Sequence, residues 1–208
     1  MSSNITIKLR LIVTMTVLGL LIAILGGLSI TALKSANNTL NEVYSNQLVS
    51  TQAIGESQIF LGRSRFTMDR AMVHPDAADV KEIVTRAEQF IESSNKSWKV
   101  YLALSQSPEE KILSDDMDKK RNDYINNGVL VMGKALSEGK IEQADSLMMK
   151  GLTPLYRALD AAAEKLTQFQ ATSAASMYAA SQAKYDTQVG MAIGGLVIGL
   201  LLIVISSI

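Results

Sequence analysis

Three arginines, Arg63, Arg65 and Arg70, stand within eight residues of a proline-free, partly apolar run at positions 58–72. Wound as a helix at 100° per residue, Arg63, Thr67 and Arg70 fall within about 60° of one another, while Ile54, Leu61, Met68 and Met72 fall on the opposite side. One face of such a helix packs and the other presents guanidinium groups. A guanidinium fork takes a carboxylate or phosphate bidentately, so two forks one to two turns apart suit a small polyanion. Arg65 and Asp69, four residues apart, lie within the apolar arc, where they either pair with each other or face a polar pocket between helices.

The chemistry on offer is binding rather than bond making. The chain has one histidine, His74, beside a proline at an expected turn, and no cysteine. Its densest acidic run, Asp115, Asp116 and Asp118, spreads around most of a helical circumference instead of converging on an ion. No glycine-rich phosphate loop, nucleophile elbow or zinc motif occurs. No enzymatic activity, metal or cofactor is therefore expected. Lys119-Lys120-Arg121 reads as a solvated charge run, and Trp98 and Tyr101 read as core.

The elements that must hold the arginine face are helices tied to a membrane. Residues 11–33 and 187–208 carry no charge, and roughly 20 such residues suffice for a helix to cross about 30 Å of hydrocarbon. Lys8 and Arg10 precede the first run with no acid before it, which places the N-terminus in the cytoplasm. The expected layout is a cytoplasmic start at 1–10, a first transmembrane helix at 11–33, an external domain at 34–186 and a second transmembrane helix at 187–208. Only Lys8 and Arg10 of the 20 basic residues lie outside 34–186, leaving 18 against 20 acids there. That balance argues against nucleic acid as a partner. The absence of cysteine permits an oxidising compartment.

Within 34–186 the pattern predicts four helices. The first continues from the membrane to about Val73, some 60 Å beyond the bilayer by helical rise. His74-Pro75-Asp76 ends it. A second helix is expected from about Asp76 to Leu104, with Val80, Ile83, Val84, Ala87, Phe90, Ile91, Ser94, Trp98, Tyr101 and Leu102 as its apolar stripe. Ser107-Pro108-Glu109-Glu110 reads as an N-cap with Glu110 completing a capping box. The third helix has Leu113, Met117, Lys120, Tyr124, Gly128, Val131 and Ala135 on one side and closes near Gly139 in the left-handed conformation. A short connecting helix over 141–148 follows, and Gly151-Leu152-Thr153-Pro154 opens the fourth. Its packed face is Leu155, Leu159, Ala162, Leu166, Phe169 and Ser173, and it runs without a breaker into the second span. The expected fold is all-α: an antiparallel, up-and-down four-helix bundle flanked by two transmembrane helices, with the first and last bundle helices adjacent.

This layout resembles the N-terminal sensory half of bacterial methyl-accepting chemotaxis receptors. Leu61-Gly62-Arg63-Ser64 is similar to the Leu-Ser-Arg-Ser run of the aspartate and serine receptors, whose arginine binds the ligand carboxylate, so the resemblance assigns that role to Arg63. Two further family arginines align with Gln58 and Thr67. Leu152-Thr153-Pro154-Leu155-Tyr156-Arg157 resembles a family Pro-Thr-Gln run at the start of the last helix, with Thr153 matching its ligand-holding threonine and Arg157 in place of a neutral residue. The resemblance implies a homodimer in the bacterial inner membrane with its sensory domain in the periplasm. It also implies a ligand near the dimer interface, a small sliding or tilting of the last helix, and kinase-coupling machinery reached through a cytoplasmic region. Because the chain stops at Ile208 before any such region, it is expected to be a sensory fragment.

The ligand set expected from the two lines together is Arg63, Thr67, Arg70, Thr153, Tyr156 and Arg157, with Arg65 close by. None of these is acidic, and a zwitterionic amino acid needs acceptors for its ammonium group. Malate, succinate or citrate is therefore expected first and an amino acid second. The partners expected are that small ligand, membrane lipid and a second copy of the chain, with no nucleic acid. The rival readings are the ectodomain of a sensor kinase and a membrane-tethered bundle whose arginines grip an acidic patch on another protein.

Overall fold

A computed structural model of the chain describes residues 7–75 and 78–207. Among the described residues there are helices and no strands. The first helical segment comprises α1 (Ile7–Glu42), a π-helical turn at Val43–Leu48 and α2 (Val49–Val73). The second is α3 (Val80–Leu102). The third comprises α4 (Pro108–Tyr124), a π turn at Ile125–Val129 and α5 (Leu130–Ser137). The fourth comprises α6 (Ile141–Ser146), a π turn at Leu147–Leu152 and α7 (Thr153–Ser207). This is an all-α, antiparallel four-helix bundle with two helices long and apolar enough to cross a membrane, Ile7–Val73 and Ile141–Ile205.

The helix ends follow local chemistry. The Ser107 side chain accepts from the Glu110 backbone N–H at 3.1 Å, and Pro108 occupies the first turn where its missing donor is harmless. The reciprocal half of the capping box does not form. The Glu110 carboxylate is buried and turns inward, where Oε1 accepts from the Tyr101 hydroxyl at 3.0 Å and from Gln170 Nε2. Gly139 takes φ +71°, with its N–H on the Leu136 carbonyl and the Lys140 N–H on that of Ala135, the paired bonds of a Schellman closure.

Further sequence expectations need correction. The second helix is described from Val80 and ends at Leu102, which is exposed, instead of Leu104; its expected start at Asp76 lies outside the described residues. No break opens the last helix at Gly151–Pro154, because the π turn carries α6 directly into α7. Pro154 follows that turn, where the hydrogen-bond ladder has already shifted register. Arg121 is not a surface charge: it is 3% exposed.

The chain divides into two compact units, Val43–Ala174 and the pair of segments Met1–Glu42 with Ala175–Ile208. In the first, α2 contributes Ile54, Leu61 and Met68, seven residues apart, to the core. They pack with Val84, Ile91 and Trp98 of α3, Met117 and Tyr124 of α4, Val129 and Met132 beyond it, and Leu159, Ala163 and Leu166 of α7. In the second unit, α1 and α7 meet closely: a Cβ on Gly195 would lie 2.9 Å from Leu25 Cδ1, and one on Gly199 3.7 Å from Leu18 Cδ2. Most of the large apolar side chains there, such as Leu20, Ile22, Leu196 and Leu200, are exposed, as expected of helices apolar enough to cross a membrane.

Candidate functional site

The arginine face of α2 lies against α3 and forms one wall of a groove of about 750 Å³. Arg63, Thr67 and Arg70 line it from α2 together with Phe66, and Glu82, Arg86 and Phe90 line it from α3, with Asp79 at the N-cap of that helix. Ile59 and Ile83 close the apolar side. The packing that sets this arrangement is the seven-residue repeat of Ile54, Leu61 and Met68. Burying that repeat turns Arg63, Thr67 and Arg70 outward along the α3 edge.

Arg63 is held before any ligand arrives. Its guanidinium carbon sits 5.6 Å from the Phe60 ring centroid, and Phe60 stacks on Phe90 across the helix pair at 6.4 Å with planes 21° apart. A cation over an aromatic face is favourable by about 0.5–1 kcal/mol at an exposed site. Among the described residues no carboxylate comes within 4.0 Å of the guanidinium nitrogens of Arg63, Arg70 or Arg86. Three cations therefore face the groove unneutralised by contact, against the two acids Asp79 and Glu82.

Thr67 has a narrower role than its type implies. Its hydroxyl donates to the Arg63 backbone carbonyl at 2.8 Å, so toward the groove its oxygen acts as an acceptor. It suits a ligand hydroxyl or ammonium group better than a carboxylate.

Arg65 points elsewhere. Its Nε lies 3.8 Å from Asp69 Oδ2, and its guanidinium carbon lies 4.9 Å from the centroid of the Tyr156 ring on α7. Tyr156 in turn meets the fully buried Tyr124 edge-on at 5.5 Å. Burial raises the Asp69 carboxyl above its ordinary value of 3.8, with Arg65 pulling the other way. Burial likewise pushes the Tyr124 phenol up, opposed by Arg65 and reinforced by Tyr156 and Asp69. Of the two alternatives left open for Arg65 in the sequence, the pairing with Asp69 is the one seen; across the helices it meets the Tyr156 ring and does not line a polar pocket.

The expected ligand set is accordingly divided. Arg63, Thr67 and Arg70 share the groove; Arg65 and Tyr156 form a separate contact between α2 and α7. Thr153, half-buried, and Arg157, exposed, line neither. Sequence reasoning missed Asp79, Glu82, Arg86 and Phe90. Their signal was present: Ile83 and Phe90 sit at the margin of the α3 apolar stripe, and Asp79, Glu82 and Arg86 recur at three- and four-residue steps beside them.

A second polar cluster is structural. Arg121 Nη2 donates to Ser94 Oγ at 3.0 Å and to Asn95 Oδ1, and Nε reaches Ser57 Oγ at 3.3 Å; Ser57 and Ser94 are themselves 2.9 Å apart. Burial lowers the Arg121 pKa to about 10, with Asp118 opposing. Asp118, expected on a solvated face, is half-buried and accepts from Trp98 Nε1 at 2.6 Å and from Asn122 at 3.1 Å. This cluster ties α2, α3 and α4 together through hydrogen bonds from Nε and Nη2 of a buried guanidinium.

Residues 1–174 match the family model described as Tar ligand binding domain homologue. No curated protein matches the chain.

Proposed function

The chain belongs to the family of Tar ligand-binding domain homologues and is a chemoreceptor N-terminal sensory domain; from that premise we propose that it binds a small organic acid in the groove between α2 and α3. The observation that carries this reading is the convergence of Arg63 and Arg70 from α2 with Arg86 from α3, none neutralised by a contacting carboxylate. Three guanidinium groups around one groove suit a ligand with two or three carboxylates, such as malate, succinate or citrate.

Two apolar helices and the family together fit a two-span membrane protein. We place its domain at 34–186 outside the inner membrane of a bacterium, as a homodimer, with no catalytic activity of its own. It would belong to a methyl-accepting receptor whose output is a kinase-coupling region. Because α7 is continuous from Thr153 to Ser207, a ligand that favours one arrangement of α2 against α7 over another shifts the population of both, which is all that signalling requires.

An amino acid is the second reading, favoured by Asp79 and Glu82 in the groove and by the acceptor oxygen of Thr67. These supply the ammonium acceptors that the arginines cannot. The two readings part in sign. Titrating the full chain in detergent with succinate, malate, citrate and a panel of amino acids identifies the class. Glu82→Gln is then expected to tighten a dicarboxylate, by removing a like charge, and to weaken an amino acid. If no member of either panel raises the unfolding midpoint, the groove is not a small-carboxylate site.

A further inference from the structure

The second compact unit contains a groove of its own, about 510 Å³, between α1 and α7 where the apolar segments give way to polar sequence. Its lining is graded. Leu25, Leu28 and Met191 lie at the apolar end, and Ser181, Lys184 and Tyr185 at the polar end. From Leu25 to Ser35 the groove runs about 15 Å along α1 by helical rise, so it passes from the hydrocarbon depth of the spans into the headgroup layer. Lys184 is the one cation that lines it, and no acid does. The nearest acid on α7, Asp186, is two residues away and about 160° around the helix.

We propose that this groove holds one bilayer phospholipid with an anionic headgroup, its acyl chain along Leu25, Leu28 and Met191 and its phosphate at Lys184. This goes beyond the ligand reading of the α2–α3 groove and does not depend on it. Three features select this occupant. The apolar-to-polar gradient matches the long axis of an amphiphile lying parallel to the helices. The ammonium group is a point charge suited to a phosphate. Tyr185, 61% exposed, presents an aromatic body with a polar tip at the depth where such residues anchor to headgroups. A second copy of the same surface is a poorer match, since the lining holds no acid to meet Lys184.

The test uses the full chain in detergent, incubated with equal amounts of palmitoyl-oleoyl phosphatidylglycerol and phosphatidylcholine, with bound lipid counted by native mass spectrometry. One phosphatidylglycerol per chain is expected, preferred by about fivefold, the factor one lysine contributes toward anionic lipid. Lys184→Gln should abolish the preference. Lys34→Gln, which removes a nearby cation that does not line the groove, should leave it intact. Ala192→Phe, which fills the groove, should lower retention of both lipids, with circular dichroism confirming that helix content is unchanged. Equal retention of the two lipids by the unaltered chain, or equal loss in the Lys34 and Lys184 variants, overturns the proposal. So does exclusion of lipid by a second copy, read as efficient cross-linking of Ala192→Cys, the sole cysteine of an otherwise cysteine-free chain.

Discussion

Arg86→Ala is expected to weaken an organic acid about as much as Arg63→Ala does, although the two residues sit on different helices. A hydrogen bond to a charged group contributes about 1.5–3 kcal/mol net. Both arginines are exposed, so water competes and the lower figure applies, about 1.5 kcal/mol or roughly tenfold in Kd. At a ligand concentration a hundredfold above Kd the folded chain gains about 2.7 kcal/mol, and a tenfold weaker variant at that concentration gains about 1.4 kcal/mol. For a domain of this size the midpoint moves about 4 °C per kcal/mol, so the ligand-induced rise should fall from about 10 °C to about 5 °C. The assay is thermal unfolding of the full chain in detergent, with and without citrate or malate, followed by circular dichroism. Arg157→Ala, on α7 and outside the groove, serves as the control and should leave the rise unchanged. If instead Arg157→Ala or Thr153→Ala halves the rise and Arg86→Ala does not, the ligand sits against α7 and the assignment to the α2–α3 groove is wrong.

Two further outcomes concern the bundle itself. Because burial raises the folded Asp69 carboxyl above its ordinary 3.8, the folded chain binds more protons than the unfolded one between those two values, and this group's contribution to stability falls as pH rises through that window. Asp69→Asn should flatten that part of the profile in denaturant titrations at stepped pH, and an undiminished slope would remove Asp69 as its source. Gly128→Ala would place a methyl group 2.7 Å from Leu152 Cδ1 and 3.4 Å from Leu155 Cδ1, a clash expected to lower stability by about 1–3 kcal/mol. Gly55→Ala, with nothing within 4 Å of the new Cβ, should raise stability by about 0.5–1 kcal/mol, so equal effects at the two sites would refute the packing described.

The helices were legible because their signals are local. Ser107-Pro108, Gly139 and the seven-residue spacing of Ile54, Leu61 and Met68 each specify a cap, a stop or a buried face without reference to distant residues. The arginine face was legible for the same reason, being set by rotation about one axis. What the face meets was not. Arg86 and Phe90 reach the groove through the lateral packing of α3 on α2, which no spacing within either helix records. Charge was the least reliable guide. Lys119, Lys120 and Arg121 are adjacent in sequence, yet a 100° step per residue exposes Lys119, half-buries Lys120 and buries Arg121 among Ser57, Ser94 and Asn95. Polar residues that interrupt an apolar stripe, such as Ser57 and Ser94, are the sequence trace of such a buried partner.

These buried polar contacts differ in kind along the bundle, and the difference bears on how a ligand is reported. Directional hydrogen bonds from Arg121 fix α4 to α2 and α3, and the Glu110 carboxylate joins Tyr101 of α3 to Gln170 of α7. Sliding one of these helices against another breaks bonds whose buried partners have no replacement, a penalty of about 1–3 kcal/mol for each group left unsatisfied. Beside the arginine face, α2 meets α7 through the Arg65 guanidinium on the Tyr156 ring. A cation over a ring tolerates lateral displacement, since the attraction follows the ring's quadrupole instead of a bond axis. Two π turns, at Ile125–Val129 and Leu147–Leu152, pack together in the same neighbourhood, with Gly128 against Leu152, and such turns are places where a helix changes register. The contact of α2 with α7 beside Arg65 is therefore less directional than the contacts made by Arg121 and Glu110, and on the function proposed above it is where a ligand drawing Arg63 and Arg86 together would act on α7.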